Sequence, residues 1–293
     1  MDTQVGQKTS VYEIIAGKII EILKQGVIPW KQGWKLNNPK NIFSKTVYKG
    51  INHLLLSSIS SLKNYSNYWL TFNQIKTLNL SLKKDSKGVP IVFWKINEIP
   101  NLEKNSKKDR IPMLRYFTVF NLSQCDNAII PDDEKNYIIN TDEKCESIIK
   151  NFKNCPLIKY QNSNPYYSIA NDEIVLPKIN QFNSSEEYYC ALFHELIHST
   201  GHESRLNRKI KNKFGESEYS FEELVAELGS SFLCHEAGIS NKSLLTNQSA
   251  YIKGWLEVLS NNPTYIIQAS SKSMKAAQYI LNKNEFIYNK EAV

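Results

Sequence analysis

Apolar positions along the chain follow a helical period at first, then mix with short alternating runs, and finally become helical again. Val11, Ile14, Ile15, Ile19, Ile22 and Leu23 recur at three- and four-residue steps, which predicts an amphipathic helix over residues 9–25 closed by Gly26. A turn at residues 45–52 feeds a helix over 52–61, and Thr71 is placed to cap a short helix after Trp69 and Leu70. Residues 89–94 and 114–121 read as strands, with the polar, basic stretch 101–110 as the hairpin loop between them. Residues 126–141 are polar and acidic and read as a linker. Beyond it the pattern predicts a helix near 142–151 and paired strands over 166–170 and 172–177, with Pro177 stopping the second or placing it at an edge. Helices over 185–200 and 220–229, near 244–260 and over 263–283 complete the chain. The expected fold class is α+β in two domains, residues 1–125 and 142–293, joined by 126–141.

Candidate chemistry concentrates in one helix. Phe193-His194-Glu195-Leu196-Ile197-His198 contains a His-Glu-x-x-His motif. On a helix, His194 and His198 lie one turn apart on one face, the spacing at which two neutral imidazoles hold one Zn²⁺. Glu195 stands beside them to take a proton from water at the metal. Ser184 or Ser185 can cap this helix, Glu186 and Glu187 suit its N-terminus, and Gly201 can end it. The competing reading is a buried helix with two chance histidines, which five histidines in the whole sequence make a poor account.

A third ligand must come from elsewhere. Ser204 occupies the position where a longer zincin pattern has its histidine, and His202 directly follows Gly201, past the expected helix end. The second helix offers Glu223 and Glu227 on one face. Zincins with a glutamate ligand often carry, four residues later, a group that orients a ligand histidine, which makes Glu223 the ligand and Glu227 the orienting carboxylate. Ser220-x-x-Glu223 is also a capping-box pattern, and on that reading Glu227 is the ligand. Tyr251 is the candidate oxyanion donor. A strand just before the motif helix is what a zinc peptidase uses to hold an extended peptide.

Charge adds a second theme. Residues 1–125 hold 19 Lys and Arg against 7 Asp and Glu, whereas residues 126–293 hold 17 against 22. A basic first half suggests a polyanionic partner. Trp30, Lys31, Trp34 and Lys35 alternate aromatic faces with cations, the materials of a single-strand platform, with Tyr48 and Arg115 behind them. Core packing of the tryptophans is the alternative. The five cysteines form no C-x-x-C pair and read as reduced thiols. With no apolar run of about 18 residues and no signal-peptide pattern at the N-terminus, the chain is expected to be cytoplasmic and without membrane contact.

The sequence resembles the ArdC-type antirestriction proteins of plasmids. Gly26-x-x-Pro29-Trp30, Tyr48-x-Gly50-Ile51-Asn52, Trp69-Leu70-Thr71-Phe72, Thr118-Val119-Phe120-Asn121 and Gln124-Cys125 are similar to their N-terminal domain. The motif helix and the run from Glu222 to Leu228 are similar to their zincin-like C-terminal domain. The resemblance implies single-stranded DNA binding by the first domain, a zinc metallopeptidase in the second, and protection of a mobile element's DNA from host restriction. The protein substrate is unspecified. A non-enzymatic DNA-binding protector with a structural zinc site is the rival, distinguished by a fourth protein ligand. A nuclease fits poorly, because phosphodiester sites favour carboxylate-rich or two-metal clusters.

Overall fold

The computed structural model describes residues 9–31, 38–100, 108–131, 141–208, 217–240 and 248–283. They fall into two compact units: residues up to 19 with Asn38–Pro131, and Ile20–Asn37 with the chain from 132 to 285. The boundary lies inside α1 (Val11–Lys24), and Gly26, at φ +78°, turns the chain at the end of that helix. Residues 20–37 thus group with the second unit, whereas the sequence-based division left them in the first.

In the first unit, β1 (Lys40–Asn41) precedes α2 (Gly50–Lys63), β2 (Tyr68–Thr71) and the short α3 (Phe72–Thr77). Thr71 caps α3 as expected: its side chain accepts from the Gln74 N–H, and Gln74 reaches back to the Thr71 N–H. After β3 (Ser81–Leu82) come the long strands β4 (Val89–Pro100) and β5 (Lys108–Asn121), then β6 (Cys125–Asp126). The main sheet has the order β1-β2-β5-β4, and β3 pairs with β6 separately. Residues 108–110, expected in the hairpin loop, belong to β5, while 101–107 lie outside the described residues. Leu54, Leu55 and Leu56 on α2 are buried, and the Asn52 side chain bonds both backbone groups of Val92 on β4.

Besides residues 20–37, the second unit contains α4 (Thr141–Asn151), followed by β7 (Leu157–Tyr160), β8 (Tyr166–Ser168) and β9 (Glu173–Leu176). These strands form a sheet of order β7-β9-β8, in which β9 is central. The strand nearest in sequence to the motif helix is therefore not an edge, because β7, unrecognised in the hydrophobic pattern, pairs along its other side. Four helices follow: α5 (Ser185–Ser199), α6 (Ser217–Ala237), α7 (Gln248–Asn261) and α8 (Tyr265–Ile280). Their core includes Leu192, Phe193, Leu196, Ile197, Leu224, Val225 and Leu228. Among the described residues no helix is long and apolar enough to cross a membrane.

α5 packs tightly against α6 at Gly229. A Cβ there would lie 2.7, 2.8 and 2.9 Å from Cδ1, Cγ1 and Cγ2 of the buried, β-branched Ile197. Three atoms of one stiff side chain cannot all withdraw, so the two helices must separate. Gly229→Ala is expected to destabilise the protein by about 1–3 kcal/mol in thermal or denaturant melts. Ile197→Val should recover part of that loss in the double variant, because it removes the nearest atom.

Candidate metal centre

Helix α5 is set by its own sequence. The Ser184 side chain accepts from the Glu187 N–H at 3.1 Å, and Glu186 and Glu187 occupy the positive first turn. Four residues apart, His194 and His198 turn the same ring nitrogen toward one point, their Nε2 atoms 3.1 Å apart. Helix α6 brings Glu223 to that point, with its Oε2 3.5 Å from His194 Nε2 and its Oε1 3.5 Å from His198 Nε2. These three residues are the one such donor group among the described residues, with all ligand atoms within 4.8 Å of one another. Because α6 already begins at Ser217, Ser220 lies inside the helix, and Glu223 does not serve as its capping partner. His202 turns away: its Nδ1 accepts from the Ser204 hydroxyl at 2.8 Å and from the Ser204 N–H at 3.2 Å.

The orienting carboxylate is Glu222, which sequence reasoning missed. Its Oε1 lies 3.4 Å from His198 Nδ1, and it accepts from Arg208 Nη2 at 2.7 Å and Nε at 3.1 Å. Arg208 is itself fixed by donating to Thr200 Oγ1 and the Ile197 carbonyl, at the end of α5. Glu227, expected in this role, has other partners. It accepts from the Tyr251 hydroxyl at 2.8 Å and pairs with Lys31 at 3.3 Å. Spacing of four residues put Glu227 on the face of Glu223. The ligand histidine instead presents its second nitrogen to the neighbouring position on the helix. The available signal was a second carboxylate directly beside the ligand, with Arg208 nearby to hold it.

Glu195 is buried and lines the same cavity of about 380 Å³ as His194, His198 and Glu223. Tyr219, Tyr166 and Tyr167 line it as well. Tyr251 does not, because its hydroxyl is held between Glu227 and the indole N–H of Trp30, so it is no oxyanion donor at this centre.

Residues 9–120 match the N-terminal domain of the anti-restriction factor ArdC, and residues 143–272 match the zincin-like metallopeptidase family. Two crystal structures of the antirestriction protein ArdC from plasmid R388 superpose on the fold, metal-free with TM-score 0.72 and Mn(II)-bound with 0.73. Each is 29% identical, over 94% of this chain and 98% of that one. The chain is thus similar to ArdC in both of its parts and over nearly its whole length. Outside these structures, ArdC-type sequence is found within two Escherichia coli proteins called DNA primase TraC, 30% and 29% identical. They are matched over 96% and 94% of this chain, which spans only 20% and 27% of their length. The uncharacterized protein y4eC of Sinorhizobium fredii is 28% identical over 93% of this chain and 92% of its own.

This ArdC-type centre has the charge balance of a cation site. Glu195, Glu222 and Glu223 surround two imidazoles and one guanidinium, so neutral histidines leave an excess of two negative charges. Burial favours the neutral form of His198, yet hydrogen bonds to Glu222 and then Glu223, helped by the charge of Glu195, push its pKa up to about 10. Burial likewise works against the charge on Glu223, but His194 and His198 hold its carboxyl far below the usual range. Two imidazole nitrogens and one carboxylate make a donor set suited to a divalent metal with a position left open.

The expected DNA-stacking residues fare differently. Trp30 is 0% exposed, edge-on to Trp255 at 5.7 Å, so neither of its faces is open to a base. Tyr48 is 6% exposed, its hydroxyl accepting from Asn41. Lys31 is committed to Glu227, whereas Arg115 is exposed on β5. Trp34 and Lys35 lie outside the described residues. Trp30 is thus an inward-facing anchor rather than part of a surface platform.

His194→Ala and Glu223→Ala should abolish stoichiometric metal binding in titration calorimetry. Glu222→Gln should weaken binding by about 10–100-fold, and Glu227→Gln should leave it near wild type. Metal must displace the proton that His198 holds. Affinity is therefore expected to rise with pH toward about 10, by up to tenfold per unit, with a proton released in buffers of different ionisation enthalpy.

Proposed function

We propose that this chain is a cytoplasmic antirestriction protein of a mobile element, combining single-stranded DNA binding with zinc-dependent cleavage of a protein substrate. The observation that carries the peptidase half is the convergence of His194, His198 and Glu223 beside the buried carboxylate of Glu195 in one cavity. Three protein ligands are the number a catalytic centre uses, and four would favour a structural one. Zn²⁺ bound there supplies Lewis-acid chemistry, acidifying water and polarising a carbonyl. Glu195 accepts the proton at its carboxylate and returns it to the leaving amine. Tyr219, one turn before Glu223 and hydrogen-bonded to that carboxylate, lines the cavity, and its phenolic O–H turns to the developing oxyanion once metal engages Glu223.

The substrate backbone has a matching edge. β8 is the outer strand of its sheet, and Pro165, Tyr166 and Tyr167 line the cavity, so an extended peptide added to β8 passes the metal ligands. A neighbouring cavity of about 650 Å³, walled partly by Phe182 and Ala191, opens beside His194 and Glu195 and has room for a substrate side chain. DNA binding is supported by charge. Residues 38–131 hold 14 Lys and Arg against 5 Asp and Glu, a net of +9 able to displace counterions from phosphates.

The decisive experiment uses zinc-loaded protein against a panel of proteins, including host restriction factors. Glu195→Gln should keep about one zinc per chain and lose cleavage, and chelation should silence the wild type. Tyr219→Phe should lower kcat by about 10²–10³-fold with metal content unchanged. Cleavage that persists in Glu195→Gln would refute this role for Glu195. Full zinc without cleavage of any protein would favour a binding-only protector.

A further inference from the structure

Trp30 and Tyr48 are buried and present no open face to a base, and the basic first unit offers another aromatic surface. β4 and β5 pair over twelve residue pairs, from Val89↔Val119 to Pro100↔Lys108. β2 accompanies β5 only at residues 119–121. Among the described residues, from Pro90↔Thr118 outward the two strands pair only with each other, forming an arm that extends beyond the third strand. An isolated two-stranded ribbon is marginal in water and would ordinarily present polar side chains on both faces. Here Ile96, Ile111, Met113 and Tyr116 are exposed instead.

Register assigns the faces. Side chains alternate, and directly paired residues share a side. The pairs Phe93↔Arg115 and Lys95↔Met113, with Phe117 opposite Ile91, therefore lie on one face. Val92, Trp94, Ile96, Pro112, Leu114 and Tyr116 lie on the other. On the first face the rings of Phe93 and Phe117 stack with centroids 4.4 Å apart and planes 3° from parallel. Both are half-buried, while Lys95 and Arg115 beside them are exposed.

We infer that this face of the β4–β5 arm is the single-stranded DNA platform, on which bases extend the Phe93–Phe117 stack while Lys95 and Arg115 meet the backbone phosphates. It rests on the DNA-binding half of the proposed function and gives that function a location. Two features favour a single strand over other polyanions. A ring stack can be continued only by a base free of its own partner, and two cations flanking it match a phosphate chain running beside unpaired bases. Arg115 also adds a planar group that stacks or forks onto phosphate as needed. Within residues 90–96 and 112–118, the opposite face has Tyr116 but no cation.

Fluorescence anisotropy with a labelled 20-mer of deoxythymidine, titrated against the full chain over a range of salt, tests the assignment. Phe93→Leu and Phe117→Leu keep apolar volume while removing the π-face, and each should weaken binding by about 5- to 150-fold without changing the salt slope. Arg115→Gln and Lys95→Gln should each lower the log–log salt slope by about 0.7. Tyr116→Ala, on the other face, should bind within twofold of wild type. Thermal melts beside each titration separate lost contacts from lost fold. If wild type binds the oligonucleotide and all four variants match it while folded, the arm is not the platform and the DNA-binding reading stands. If wild type itself fails to bind, that reading falls and takes this inference with it. Tighter binding to a 20-mer of uridine, or to duplex, would overturn the choice of partner.

Discussion

The metal centre depends on how closely α6 can approach α5. The two ligand histidines come from consecutive turns of one helix and need no tertiary contact to find each other. The carboxylate does. Glu223 reaches the imidazoles only because α6, two turns further on at Gly229, lies against Ile197 with no room for a methyl group. Packing and chemistry are therefore one problem here. The residue between the histidines on α5 that sets the spacing of the helices is Ile197, and its own carbonyl accepts from the Arg208 that orients Glu222.

That arrangement also explains why three carboxylates can be crowded around two histidines. An isolated buried carboxylate is strongly disfavoured, and two of these have an answer: Arg208 and His198 for Glu222, both imidazoles for Glu223. Without metal, a proton on His198 serves as the balancing charge. The site is thus built to hold positive charge at its centre in either condition, and the competition between proton and metal follows from the geometry rather than from any one residue.

Local signals were readable in proportion to how local they are. The Thr71 cap, the Ser184 cap and the i, i+4 histidines sit within a few residues of their partners, and each is found where the sequence puts it. The ligand-then-carboxylate pattern pointed to Glu223 over Glu227, and α6 does bring Glu223 to the two imidazoles. Glu222 was passed over because adjacency on a helix suggests different faces, yet a histidine has two nitrogens about a ring apart and can address both positions. The tryptophans show the reverse error. Cations beside Trp30 suggested an open surface, but Lys31 spans from that buried indole to a carboxylate of its own unit. On β4 and β5 the alternating pattern was legible as strand, while the early end of β2 beside the arm was not.

The placement of Trp30 bears on how such proteins can be recombined. A gene fusion joining the first 125 codons to a different partner would export an indole whose hydroxyl acceptor, Tyr251, and whose neighbour, Trp255, stay behind in the other fragment. Both fragments would suffer: one acquires a bare aromatic, the other a vacancy beside Glu227. Swaps that succeed should instead cross over within α1, so that residues 20–37 travel with the zincin-like part. Lineages carrying this segment inside larger proteins would then be expected to inherit both halves as a block, which would make the pair, rather than either half, the unit that spreads.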